Sequence, residues 1–202
     1  MNTTASILIC RSAAAALFLA ASIALPMAGA NKANGLLDDF SDPTRAPSGI
    51  ERIVIDDGSG GGQSHVNQRY EAGRLVATGE IVPGRGQPGW VSIVFLLNPD
   101  GTPRDLSQYE GVRMRIRVSK GMISVSANST EVDNFDYHSL PVPVRQTPGD
   151  DVQEVRLPFR NMKRGWSLQT PLDPATITSI SLTAVQLQRA PFAYEIDEIG
   201  FY

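Results

Sequence analysis

Cysteine is nearly missing from this chain, and the single residue, Cys10, lies in a segment expected to be cut away. The mature chain then has no thiol, which excludes a disulfide framework, a thiol nucleophile and a cysteine-ligated zinc. Histidine is almost as scarce, with only His65 and His138. Two separated histidines make a poor catalytic metal site, and any Ser-His-Asp triad would have to use one of them. His65 adjoins Ser64, but neighbours on a strand point to opposite faces, so they form no nucleophile-base pair. A basic surplus is lacking too. The formal net charge is −3, and nucleic-acid binding rests on a positive footprint. No apolar run reaches the about 20 residues of a membrane-spanning helix.

What is present begins with an export signal. Residues 1–30 contain no acid and one basic residue, Arg11. An apolar run from Ala13 to Leu25, a break at Pro26 and the small-residue site Ala28-Gly29-Ala30 follow in the order of a secretory signal peptide. Removal of residues 1–30 is expected to leave 31–202 as one domain, periplasmic or secreted, with no span of the membrane.

Beyond that segment the chain alternates with a period of two, broken by Gly, Pro, Asn and Asp. In Val112–Val118 the four apolar side chains take one face and Arg113, Arg115 and Arg117 the other. Ile123–Ala127 alternates likewise, and Lys120-Gly121 between the two predicts an antiparallel hairpin. Further strands are expected at 53–55, 66–70, 75–81, 90–97, 152–157, 180–187, 192–196 and 200–202. Strand 90–97 is apolar on both faces apart from Ser92, which predicts cover on both sides. Pro141 and Pro143 make the stretch around Val142 an edge or a loop. Helix is limited to a turn or two, one opened by Asp173 as N-cap and Pro174 behind it. About ten short strands with Gly/Pro turns spell an all-β, jelly-roll β-sandwich.

Motifs that would carry chemistry are weak. Gly84-Arg85-Gly86-Gln87-Pro88-Gly89 satisfies G-x-G-x-x-G, but a strand follows it, so it reads as a loop between strands. The doublets Asp38-Asp39, Asp56-Asp57 and Asp150-Asp151 offer a glycosidase acid and base; in turns such carboxylates are more often solvated, and they are read so here. Asn128-Ser129-Thr130 is a glycosylation sequon in a host that glycosylates exported chains. No catalytic residue is assigned, and the chain is expected not to be an enzyme.

Asp105-Leu106-Ser107-Gln108-Tyr109-Glu110-Gly111, running into Val112–Arg117, resembles a signature segment of the complex I intermediate-associated protein 30 family. Leu37-Asp38-Asp39-Phe40, Asp57 with Gly61-Gly62 and Ser64, Gly89-Trp90 with Ser92, Leu157-Pro158-Phe159, and Phe192–Ile199 resemble other landmarks of that family in the same order. Gly60 stands where the family's loop usually has methionine, and the segment from Phe135 to Asp151 is longer than usual. The resemblance implies a galactose-binding-like jelly roll, the architecture of many carbohydrate-binding modules. It also implies a chaperone-like part in assembling NADH:ubiquinone oxidoreductase, on a side of the membrane that an exported member does not reach.

Two functions follow as expectations. The first is a non-enzymatic protein-binding or assembly module, and the alternative is a carbohydrate-binding module of the cell envelope. Arg113, Arg115 and Arg117 stand roughly 6.5–7 Å apart along one strand face and could meet a protein partner's carboxylates. Pairing with acids such as Glu154 and Glu195 across strands is the alternative use of that row. A sugar needs aromatic platforms, and Trp90, Tyr137, Trp166 and Tyr194 are available. Trp166 is the best of them, because it follows Lys163-Arg164-Gly165 in a loop. No cofactor is expected. Jelly rolls of the implied kind often bind a structural calcium where the first and last strands meet, which makes Asp39 and Asp197 its candidate ligands.

Overall fold

Among the described residues eleven strands carry the alternation into two antiparallel sheets. The computed structural model describes residues 35–143 and 152–202; residues 1–30, where an export signal is expected, and the doublet Asp150-Asp151 lie outside them. In chain order the strands are β1 (Leu36–Asp38), β2 (Ile53–Asp56), β3 (His65–Tyr70), β4 (Leu75–Ile81), β5 (Gly89–Leu96) and β6 (Gly111–Lys120). Then come β7 (Ile123–Ser129), β8 (His138–Pro141), β9 (Gln153–Pro158), β10 (Ile177–Gln186) and β11 (Ala190–Phe201). One sheet runs β3-β4-β11-β6-β9, with β1 also paired to β11; the other runs β2-β5-β10-β7-β8. Among the described residues helix is confined to short 3-10 turns, and Asp173 caps the turn Pro174–Thr176 by accepting from the Ala175 N–H at 2.9 Å, as expected.

Both sheets turn their apolar faces to one core. Ile93, Phe95, Val125, Ile180 and Leu182 enter it from the five-stranded sheet, and Leu75, Met114, Ile116, Ile196 and Ile199 from the other. Each fully buried side chain of this size is worth about 1.5–3 kcal/mol, which replaces the missing disulfides. Pro141 ends β8, the short edge strand that the flanking prolines allow.

Three expectations are corrected. The strands β6 and β7 form no hairpin, because β6 lies between β11 and β9 and β7 between β10 and β8. The chain crosses between sheets at Gly121, which takes φ 76° and leaves a β-carbon only 2.9 Å from the Phe192 Cβ. A hairpin would set both apolar faces side by side; the crossover turns them into the core from opposite sheets. The last strand is also unbroken. Read as two pieces, 192–196 and 200–202, it is one strand with a bulge between Ile196 and Glu198. The extra residue sends both Asp197 and Glu198 outward while Ile196 and Ile199 stay buried, so strict alternation fails there.

The third correction concerns Asp38, read as a solvated turn residue and in fact fully buried. Arg52 meets its carboxylate twice, through Nε at 2.6 Å and a terminal nitrogen at 2.8 Å. The guanidinium lies over the rings of Phe40 and Tyr70 at 5.2 and 5.0 Å and also donates to the carbonyls of Asp42 and Arg45. Buried charge survives because both carboxylate oxygens and all three guanidinium nitrogens have hydrogen-bond partners.

The register of β6 gives a stability test. Ile116→Asp places a carboxylate in the core without a partner, at a cost of several kcal/mol, on the order of the whole stability. Arg115→Ser, on the outward side, should cost within roughly 1 kcal/mol. Thermal melts that ranked the two the other way would invert the faces assigned to β6.

Candidate functional site

Strands β5, β10, β7 and β8 each have a second face, and it looks outward. There the side chains are short and hydroxylated: Ser92, Ser181, Thr183, Ser124, Ser126 and Ser139. Short side chains on neighbouring strands leave a trough, and its walls rise at both edges of the sheet. One wall is Ile55, the turn from Asp57 to Gly60, and Trp90; the other is the segment Asn134–Tyr137 with Gly165-Trp166. The groove measures about 710 Å³. Cover on both sides of the 90–97 strand thus takes two forms: core on one side, and groove walls over Ser92 and Trp90 on the other.

Two buried carboxylates hold the walls. Asp57 accepts from the Ser64 N–H at 3.0 Å, the Ser64 hydroxyl at 2.7 Å and the Trp90 N–H at 3.2 Å. Ser64 in turn accepts from the Val82 N–H at 2.9 Å. Gly62 packs so closely that a β-carbon there would lie 2.1 Å from the Asp57 carboxyl carbon. The Asp-Gly-Gly-Ser spacing is therefore a structural knot, and Asp57 is not the solvated doublet member expected. Asp136 does the same work across the groove. It accepts from the N–H groups of Gly165 and Trp166 at 2.6 and 2.9 Å, while Arg164 donates to its carbonyl at 3.1 Å and to Asn134 Oδ1 at 3.2 Å. Trp166 is thereby held at the rim with 79% of its surface open, and Phe135 beside it with 84%.

The floor has its own order. Ser92 and Thr183 face each other in register and share a hydrogen bond of 2.7 Å. Asn128 donates to the hydroxyls of Ser179 and Ser181 at 2.8 and 2.7 Å, and its buried Oδ1 has no partner among the described residues. Asn128 is consequently built into the sheet, and the sequon that contains it presents no free amide for a glycan.

The sequence-derived candidates divide. Trp166, Trp90 and Tyr137 all line the groove. Tyr194, counted as a platform, is instead a core residue, and burial raises its phenol far above the ordinary range. Phe135 carries no special sequence signal beyond lying in the lengthened segment. Arg113, Arg115 and Arg117 stand on the opposite sheet, where three acids of β11 lie against them. Arg113 meets Glu198 at 2.5 Å, Arg115 lies 3.4 Å from Asp197, and Arg117 pairs with Glu195. Glu154 turns to Arg156 at 2.9 Å. Asp197 also accepts from Arg74 at 2.5 Å, whereas Asp39 bonds its own turn through Ser41 at 2.7 Å. The two aspartates thus serve different partners, and no three His, Cys, Asp or Glu side chains converge on a metal position among the described residues.

A two-sheet jelly roll with an open trough across one sheet defines the architecture of this chain. Residues 39–196 match the complex I intermediate-associated protein 30 family, and the chain belongs to it. Among solved structures it is similar to the family 11 carbohydrate-binding module of the cellulosomal cellulase Lic26A-Cel5E of Clostridium thermocellum. Identity is 13%, the TM-score 0.55, and 82% of this chain covers 92% of that one. The family 11 module from Clostridium thermocellum in complex with a β-1,3-1,4-mixed-linked tetrasaccharide aligns at 13% identity and TM-score 0.54, covering 83% and 94%. An agarase, AgWH50C, aligns at 12% and 0.50, over 82% of this chain and 26% of its own. At such identities the likeness is one of fold. No curated protein matches the sequence.

The Asp136 clamp predicts how Trp166 is held. In a Trp90→Phe background Trp166 is the only tryptophan, since the chain has 2. Asp136→Ala should then lower the fluorescence anisotropy of Trp166 and cost about 1–3 kcal/mol through donors left unpaired. Unchanged anisotropy would mean that the rim is held by something else.

Proposed function

We propose that this chain is a non-catalytic binding module of the cell envelope whose groove takes a glycan. The observation that carries the reading is the pairing of a hydroxyl-lined floor with exposed aromatic rims. Sugars offer apolar ring faces to aromatics and hydroxyls to hydrogen-bonding side chains, so a trough with both is complementary to them. The similarity of fold to carbohydrate-binding modules supports the same reading, one of them solved with a tetrasaccharide bound. Export by residues 1–30 would bring the module to where such polymers lie.

A second reading is a protein-binding, assembly role of the kind the family's description names. It draws support from the edge strand β2, where Ile53, Val54 and Ile55 are each 40–45% exposed. An apolar edge with unpaired backbone is a template for strand addition. The arginine row, favoured from sequence for this purpose, is already matched by Glu195, Asp197 and Glu198.

The test uses protein recovered from the envelope fraction, its intact mass giving Asn31 as the first residue. Titration with polysaccharides should show binding that is nearly independent of salt. Trp166→Ala should weaken it by about 2 kcal/mol, as loss of an aromatic anchor does, at an unchanged melting temperature. A protein that keeps residues 1–30, or glycan binding indifferent to Trp166, would contradict the proposal.

A further inference from the structure

The two halves of the groove floor are chemically unlike. Toward β5, Ser92 and Thr183 satisfy each other. Toward β8, the hydroxyls of Ser124, Ser126 and Ser139 line the groove and bond to no other described residue. Ser126 and Ser139 sit directly opposite each other in the β7–β8 register, and Ser124 is the next outward position along β7, about 7 Å away. The wall on this side carries Tyr137, Phe135 and Trp166. Free hydroxyls and exposed aromatics are thus concentrated at one end.

Charge narrows the ligand further. Among the described residues no lysine or arginine lines the groove, and its two carboxylates, Asp57 and Asp136, are spent on holding the walls. A uronate, sulfate or phosphate entering here would lose water and meet Asp57, while Arg164 behind the wall is already paired with Asp136 at 3.4 Å. A serine hydroxyl, with one donor and two acceptor positions, matches a sugar hydroxyl in either direction.

We infer that the β7–β8 half is the specificity-determining subsite and takes an uncharged, hydroxyl-rich polysaccharide, held by Ser124, Ser126 and Ser139 beneath Tyr137, Phe135 and Trp166. This rests on the glycan reading above. The β5–β10 half supplies contact through Trp90 and Ile55, while its hydroxyls stay with each other.

Calorimetric titration of the full chain decides it, using mixed-linked β-glucan, galactan and dextran as neutral probes and polygalacturonate and alginate as anionic ones. At least one neutral polymer should bind and the anionic ones should not. Ser126→Ala/Ser139→Ala should weaken that binding about tenfold, the loss of two hydrogen bonds. Ser92→Ala/Thr183→Ala should change it less than about threefold. Melting temperatures of both double variants check that the fold is kept. Preference for the anionic polymers, or the reverse ranking of the variants, would overturn this subsite and leave the glycan reading standing. Absence of binding to all five polymers would overturn both.

Discussion

Strands β5, β10 and β7 at the middle of the five-stranded sheet each have two faces and one core to serve, and that constraint shapes the rest of the molecule. The inward face must be apolar and large, since a chain without disulfides draws its stability from burial. The outward face is then free to be small, and it carries Ser124 and Ser126 on β7, Ser181 and Thr183 on β10, and Ser92 on β5. Had those positions carried bulky side chains, the trough would be filled. Packing on one side of the sheet and the chemistry of the groove on the other are two consequences of one alternation.

The walls need a different device, because loops have no ladder to hold them. Here each wall is gathered on a buried carboxylate: Asp57 on the β5 side and Asp136 on the β8 side. A desolvated carboxylate demands several donors, so it fixes a loop more sharply than apolar contact does. The opposite sheet spends charge differently. Its outer face carries arginines on β6 and acids on β11, paired across the strands. One face of the sandwich is ionic and self-matched; the other is open, aromatic at its rim, and keeps its carboxylates in the walls.

Strand alternation made most of the fold legible, since Val112–Val118 and Leu75–Ile81 declare their faces residue by residue. Partners were harder. Lys120-Gly121 looks like a hairpin turn, and only the need to enclose a core from both sides sends β7 to the other sheet. The bulge at Asp197 is invisible in sequence, because two successive polar residues read as the end of a strand. The acidic doublets misled for a related reason: Asp38 and Asp57 find their donors outside their own turns, in Arg52, Ser64 and Trp90, which are 14, 7 and 33 residues away. Trp166 stood out as a loop aromatic, whereas Phe135 and the serine floor acquire meaning only when β8 brings them beside it.

The central claim is that the binding face is the outer side of the five-stranded sheet. Amide chemical-shift mapping during titration with a bound polysaccharide tests it most directly. The account predicts shifts at Ser92, Ser126, Ser139, Thr183 and Trp166, with Arg113, Arg115, Arg117 and Glu195 unmoved. Shifts confined to the arginine-bearing strands would contradict it and transfer the function to the other sheet.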